Sequence, residues 1–184
     1  MLLDHKVCHL LVVDIQEKLL PAMADPEAVR ENGLRLVKAA RHFGVPVTFS
    51  EQYPRGIGHT AKPLLEAAGP DAAVFEKLEF SCGRNDALKA RAAEIRRKGR
   101  KQLLICGIEA HVCVLQSAVG FADLGYDVVI AVDATSSRAP FSRDMMLARL
   151  VSSVIMPVTT EMVIFEWLGK AGTPDFKALL PLIK

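Results

Sequence analysis

The chain has 184 residues, 51% of them hydrophobic, which suits one ordinary domain, residues 1–184, with a sizeable core. Its formal charge is +2, and the densest basic cluster (Arg96, Arg97, Lys98, Arg100, Lys101) falls where a helix ends, so no nucleic-acid partner is expected. Four cysteines are too few for a disulfide framework, and no apolar run is long enough to cross a bilayer. Asp4, His5 and Lys6 interrupt the N-terminal apolar stretch, so no signal peptide is read there. The expectation is a cytoplasmic protein with reduced thiols and no membrane partner.

Strand-length apolar runs alternate with helix-period segments. Residues 7–13 form a nearly continuous apolar run ending at Asp14, the pattern of a strand buried on both faces. Pro26 opens a helix through His42, with Gly44 as its stop. Strands are expected at 45–50 and 73–75, then a helix at 86–98 closed by Gly99. A strand at 102–106 leads to a helix at 110–124, and a strand at 127–132 to a helix at 142–152. A short sixth strand is expected at 153–156. Thr159 caps a helix to Leu168, and a polar turn precedes the last segment, 176–183. This order predicts a three-layer, Rossmann-like, doubly wound α/β fold: a parallel sheet of about six strands with helices on both faces.

Sheets of this kind bind ligands beyond the carboxyl ends of their strands, where strand order reverses. Asp14, Lys77 and Cys113 lie at three such ends. A cysteine in the first turn of a helix feels the positive end of the helix dipole, which lowers its pKa. An aspartate from a neighbouring strand end would take its proton, and a lysine would keep that carboxylate ionised. Each residue also has a plain reading: Cys113 as a small buried hydrophobe, Lys77 as a solvated side chain, Asp14 as a helix cap. Spacing alone leaves both readings open.

Three segments, "LLVVDIQEKLLPAM", "VFEKLEFS" and "CGIEAHVCVLQSA", resemble the motifs of the isochorismatase-like cysteine hydrolases. The resemblance runs over nearly the whole chain. "TFSEQYPRGIGHT", "GYDVVIAVDATSSR" and "TTEMVIFEWLGKAGTPDFKALLPLIK" are similar to the isochorismatase domain-containing subgroup. It implies a Rossmann-like sheet and a catalytic Asp14–Lys77–Cys113 triad. It further implies a cis peptide between Ile108 and Glu109, and an oxyanion hole made by the backbone amides of Glu109 and Cys113. The expected activity is hydrolysis of a small amide or related acyl compound through a covalent Cys113 intermediate. The alternatives are a non-catalytic binding or scaffolding member and a redox-responsive thiol protein.

The departures from the wider superfamily are informative. Nicotinamidases carry an Asp-x-His metal motif after the second strand, where this chain has Glu51, Tyr53 and a lone His59. One acid and one histidine make a poor zinc site, so no metal and no other cofactor is expected. Isochorismatases proper lack the cysteine nucleophile that Cys113 provides. Tyr53, His59, Phe80 and His111 are candidate pocket residues, Tyr53 and His59 on a flexible glycine-containing loop at Gly56 and Gly58. Glu109 either touches substrate or caps its helix. Cys8 and Cys106 read as core, and Cys82 as a loop thiol without function. Asp133, Ser136 and Arg138 fix the loop after the fifth strand. The apolar C-terminal residues Phe165, Trp167, Leu168, Phe176, Leu179, Leu180, Leu182 and Ile183 either cover the chain's own sheet or form an interface. Relatives of the resembled family assemble as dimers, tetramers or larger rings, which implies a homo-oligomer acting on a small-molecule substrate.

Overall fold

The run Cys8–Val13 forms strand β1, and every residue in it is buried. A computed structural model describes residues 1–183 of the chain. After β1 come helix α1 (Pro26–His42), β2 (Val47–Gln52), the short α2 (Pro54–Ile57), α3 (Lys62–Ala68) and β3 (Ala73–Lys77). The second half contributes α4 (Asp86–Arg97), β4 (Gln102–Ile108), a π-helical turn at Ala110–Val114 and α5 (Leu115–Asp123). It ends with β5 (Asp127–Ser136), α6 (Pro140–Leu150), β6 (Met156–Val158), α7 (Thr160–Leu168) and α8 (Pro174–Leu179).

Every strand pairing is parallel, in the order β3-β2-β1-β4-β5-β6. The chain therefore winds outward from β1 in one direction, then restarts at β4 and winds outward in the other. Side chains alternate across each strand and divide the core in two. Leu10, Val12, Leu104 and Cys106 join one cluster with Leu36 and Val37 of α1, Leu64 of α3 and Trp167 of α7. Leu11, Val13, Leu103 and Ile105 join the other with Leu88 of α4, Phe121 of α5 and Met146 of α6. This is the three-layer, Rossmann-like doubly wound fold that the alternation of elements predicts. Among the described residues no helix is long and apolar enough to cross a membrane.

Local chemistry explains the element ends. The Asp25 carboxylate accepts the Ala28 N–H at the start of α1, where Pro26 needs no partner for a missing N–H. Asn85 and Thr159 cap α4 and α7 in the same manner. The sixth strand is displaced from the expected 153–156 to Met156–Val158. Ser153 is the reason: its hydroxyl donates to Leu150 O and accepts the Ile155 N–H, closing a turn where ladder pairing would otherwise begin. The short helices α2 and α3 escaped the sequence reading because neither is long enough to display a helical period.

The C-terminal apolar residues mostly cover their own sheet. Trp167 and Leu179 are buried, and Leu168, Phe176, Leu180, Leu182 and Ile183 are half-buried; of this set only Phe165 stands exposed. They complete the α1-side core and do not constitute a free patch.

One close approach fixes the centre of the sheet. Gly107 pairs with Val13, has φ +125°, and a Cβ added there would lie 1.9 Å from the Val13 carbonyl oxygen. Gly107→Ala is expected to destabilise the chain by about 4 kcal/mol or more. Gly44→Ala, at a positive φ with open space around it, should cost only about 1–2 kcal/mol. Urea unfolding of both variants checks this; similar midpoints would sink the argument from overlap.

Candidate active site

The order of strands reverses between β1 and β4, and the sequence-predicted residues gather at the carboxyl ends around that point. Asp14 follows β1, Lys77 is the last residue of β3, and Cys113 sits in the π-helical turn after β4. Asp14 adopts the left-handed conformation, φ 53°, which aspartate tolerates better than bulkier residues. Its N–H donates to Ser50 O at 3.1 Å, and its own carbonyl accepts the Gln16 N–H at 2.8 Å.

The side chains of Asp14 and Lys77 are wholly buried, and Lys77 Nζ donates to Asp14 Oδ2 over 2.7 Å. The Ser50 hydroxyl donates to Asp14 Oδ1 over 2.7 Å. Lys77 Nζ also donates to Gln52 Oε1 over 2.6 Å, and the Cys113 thiol points to that same oxygen, Sγ to Oε1 3.9 Å. Burial pushes the Asp14 carboxyl above its usual range, with the ammonium and hydroxyl opposing that shift. For Lys77, burial acts to lower the pKa, but the adjacent Asp14 carboxylate outweighs it and holds the ammonium protonated.

The Cys113 thiol moves in the direction opposite to the sequence expectation. Burial, then the nearby Asp14 carboxylate, pushes its pKa up, and Lys77 offsets only part of that. Cys113 begins in a π turn buried at 6% exposure, where desolvation and a like charge outweigh the helix dipole. The resting group is therefore a thiol beside a carboxylate. Cys82 also departs from its reading as a loop thiol. It is fully buried, its N–H donates to Ser117 Oγ over 2.8 Å, and burial raises its thiol pKa. Cys8 and Cys106 are core as expected, both pushed up to about 12 by burial.

The peptide bond between Ile108 and Glu109 is cis. Among the described residues no acceptor takes the Glu109 N–H. The Glu109 carboxylate does not cap the helix; it accepts from Arg138 N and Nε, each at 3.1 Å. Arg138 thus ties the loop after β5 to the residue that precedes the Cys113 turn. His111 Nδ1 meets Ser137 Oγ at 2.9 Å, joining the same two segments.

The other candidate residues are spread around this centre. Tyr53 is exposed at the start of α2 and lines an open cavity of about 440 Å³ with Arg55, Lys77, Leu78, Glu79 and Asn85. Cys113, His59, Phe80 and His111 are not among its lining residues. His59 Nδ1 donates to Glu51 Oε2 at 3.0 Å, and the Thr60 N–H donates to Glu51 Oε1 at 2.7 Å. The loop read as flexible is therefore anchored by a buried carboxylate and by Gln16, whose Nε2 donates to Gly58 O at 2.6 Å. Glu51 and His59 do meet, but two donors do not make the three- or four-ligand set that zinc requires. No cluster of three or more His, Cys, Asp or Glu side chains suited to a metal occurs among the described residues. Gln52 and Ser50 were not singled out from the sequence. Their only signal was position at the end of the second strand.

A Rossmann-like sheet with polar side chains converging at its switch point defines a broad class of α/β proteins. Within that class the chain belongs to the isochorismatase family, whose domain model matches residues 8–162. It is 36% identical over 177 residues to isochorismatase family protein 1B of Dictyostelium discoideum, covering 95% of this chain and 85% of that one. Its structure is similar to that of MAR1 ribonuclease from Caenorhabditis elegans, with TM-score 0.91, 30% identity and coverage of 100% and 92%. It is also similar to YcaC from Pseudomonas aeruginosa, solved with hexane-2,5-diol and covalent acrylamide, with TM-score 0.86, 25% identity and coverage of 98% and 91%.

The buried ion pair generates a stability prediction. Lys77→Met strands the Asp14 carboxylate without its partner and should cost about 3–5 kcal/mol. Adding Asp14→Asn should return most of that loss, because the charge that needed the lysine is gone. Urea denaturation of both single variants and the double variant checks the cycle. Purely additive losses would mean the two groups do not depend on each other.

Proposed function

We infer that the chain is a cysteine hydrolase acting on a small amide or related acyl compound. The observation that carries this reading is the meeting of Lys77 and Asp14 as a buried ion pair beside Cys113. The covalent acrylamide in the Pseudomonas aeruginosa relative fits a protein with a reactive nucleophile, because acrylamide takes up nucleophiles at its vinyl carbon.

The chemistry follows from the resting state. Cys113 Sγ attacks the acyl carbon while its proton passes to Asp14, whose raised pKa makes it a competent base. Lys77 keeps the carboxylate ionised before attack and faces the thiolate as it forms. The carbonyl oxygen, now anionic, is received by the backbone N–H groups of Glu109 and Cys113, each contributing about 2.7–4 kcal/mol to the transition state. Collapse breaks the C–N bond, and the departing amine takes the proton from Asp14, leaving a thioester on Cys113. Water then adds with Asp14 again accepting the proton, and release of the acid restores the thiol. One amide and one water give one acid and one amine. Neither a metal nor another cofactor is needed for this sequence.

A nucleic-acid substrate fits the geometry less well, although one structural relative is a ribonuclease. The cluster Arg96–Lys101 lies between the end of α4 and the start of β4, at the amino ends of the strands, away from the carboxyl ends where Asp14, Lys77 and Cys113 lie. Cys113 itself is nearly closed to solvent, which favours a small molecule. The non-catalytic and redox readings are separated from catalysis by the same experiment. A panel of small amides, with homopolymer RNA as a further arm, is assayed against the parent chain and Cys113→Ala. Amide turnover should fall roughly a thousandfold or more in the variant. Activity on any arm that survives Cys113→Ala unchanged overturns the cysteine mechanism.

The chain also works as a homo-oligomer in this reading, though not through the C-terminal residues first considered. Phe141 and Met145 of α6, with Val151 and Val154 just beyond it, are exposed at 70%, 46%, 88% and 83%. So many large apolar side chains on adjoining segments are the mark of an interface. Light scattering at micromolar concentration should give a multiple of 20.1 kDa; a mass near one chain would sink the idea.

A further inference from the structure

Gln52 closes β2 between the strands that carry Asp14 and Lys77. A lysine ammonium has only N–H groups to offer, so the atom facing Lys77 Nζ at 2.6 Å is the amide oxygen of Gln52. The same oxygen faces the Cys113 thiol. The amide nitrogen donates to Leu78 O at 2.9 Å, which fixes the orientation of the whole group. Gln52 therefore touches two of the three triad side chains and is clamped at its other end.

Its main chain is held independently. The Gln52 N–H donates to Gln16 Oε1 at 2.8 Å, and its carbonyl accepts from Gln16 Nε2 at 3.0 Å. Both glutamines are buried. Gln16 thus secures the end of β2, and the Gln52 side chain is not required for that task.

The choice of a neutral amide is physically specific. A carboxylate at this position would compete with Asp14 for the one ammonium and place a second negative charge beside a thiol that has to ionise. An apolar side chain would leave a Lys77 N–H buried without an acceptor. An amide oxygen satisfies the ammonium and cannot take a proton, so Asp14 remains the sole acceptor for the thiol proton.

We propose that Gln52 is a positioning residue for the Cys113 chemistry, its amide oxygen holding the Lys77 ammonium and the Cys113 thiol in fixed relation to Asp14. The proposal rests on the cysteine-hydrolase reading. Its test is alkylation of the full chain by iodoacetamide, with the Cys113 adduct followed by mass spectrometry from acid to alkaline pH. Gln52→Leu removes all three side-chain hydrogen bonds, and Gln52→Glu keeps an oxygen while adding a charge. Gln52→Leu should slow Cys113 alkylation about ten- to a hundredfold at neutral pH. Its pH midpoint should rise, because a displaced ammonium stabilises the thiolate less. Gln52→Glu should raise the midpoint by about one unit through its added negative charge.

A residue with only a structural part would change thermal stability and leave the midpoint in place. An unmoved midpoint in a folded variant overturns the proposal, and either variant suffices if the other does not fold. In that outcome a parent thiol that still reacts leaves the cysteine reading intact. Failure of the parent to be alkylated at Cys113 sinks the cysteine reading and the role of Gln52 together.

Discussion

A lysine ammonium and an aspartate carboxylate meet at 2.7 Å without solvent, and the rest of the site is arranged around that contact. Removing either ion from water alone costs several kcal/mol, so neither is tolerable without the other and without partners for its remaining atoms. The partners come from β2: Ser50 donates to the second carboxylate oxygen, and Gln52 accepts a second ammonium N–H. Topology makes this possible. β2 lies between β1 and β3, so the ion pair reaches across it, from the residue after β1 to the last residue of β3. Cys113 arrives from the other side of β1, in the turn that follows β4. A different strand order would separate these groups whatever the sequence of each strand.

The same contact sets the protonation states. A thiol activated by a helix N-terminus would rest as a thiolate, but here burial and the Asp14 charge keep it protonated. In the proposed reaction ionisation is thereby coupled to attack: the thiol gives up its proton as the sulfur–carbon bond forms, when the negative charge moves toward the substrate oxygen. Such coupling also limits adventitious oxidation, because the thiolate is the oxidisable form. In that reading the sulfur stays a thiol until a small electrophile enters the site.

The sequence revealed the framework better than the fittings. Residues 26–42 announced α1 through a proline start, an apolar face and a glycine stop, all local signals. The buried run of β1 was equally plain, as was the place of Asp14 after it. Ser153 drew the sixth strand out of register through a side-chain turn, which apolar patterning does not register. Cys82 looked like a loop thiol because its burial is long-range: Gly83 and Gly120 allow its turn to press against α5, where a Cβ on Gly83 would meet Gly120 at 3.0 Å. Gln52 carried no distinctive pattern at all. Its importance comes from the two strands that fold against β2, and nothing in its own neighbourhood encodes them.

The loop after β2 is held separately from the ion pair. Its backbone is tied down by Glu51 through His59 and Thr60, and by Gln16 through Gly58. Glu51 is buried, and its pKa is lowered: burial raises it, but the Thr60 N–H and the His59 side chain more than offset that. The lowered pKa favours the charged carboxylate, the form that accepts both hydrogen bonds to the loop. Two acceptor sets share the end of one strand, with Glu51 holding the loop and Gln52 holding the triad. Successive residues of a strand point to opposite faces, so the two tasks are assigned to opposite sides of the sheet and do not compete for donors. A change in the loop can then alter the cavity lined by Tyr53 without removing the groups that hold the Asp14–Lys77 ion pair.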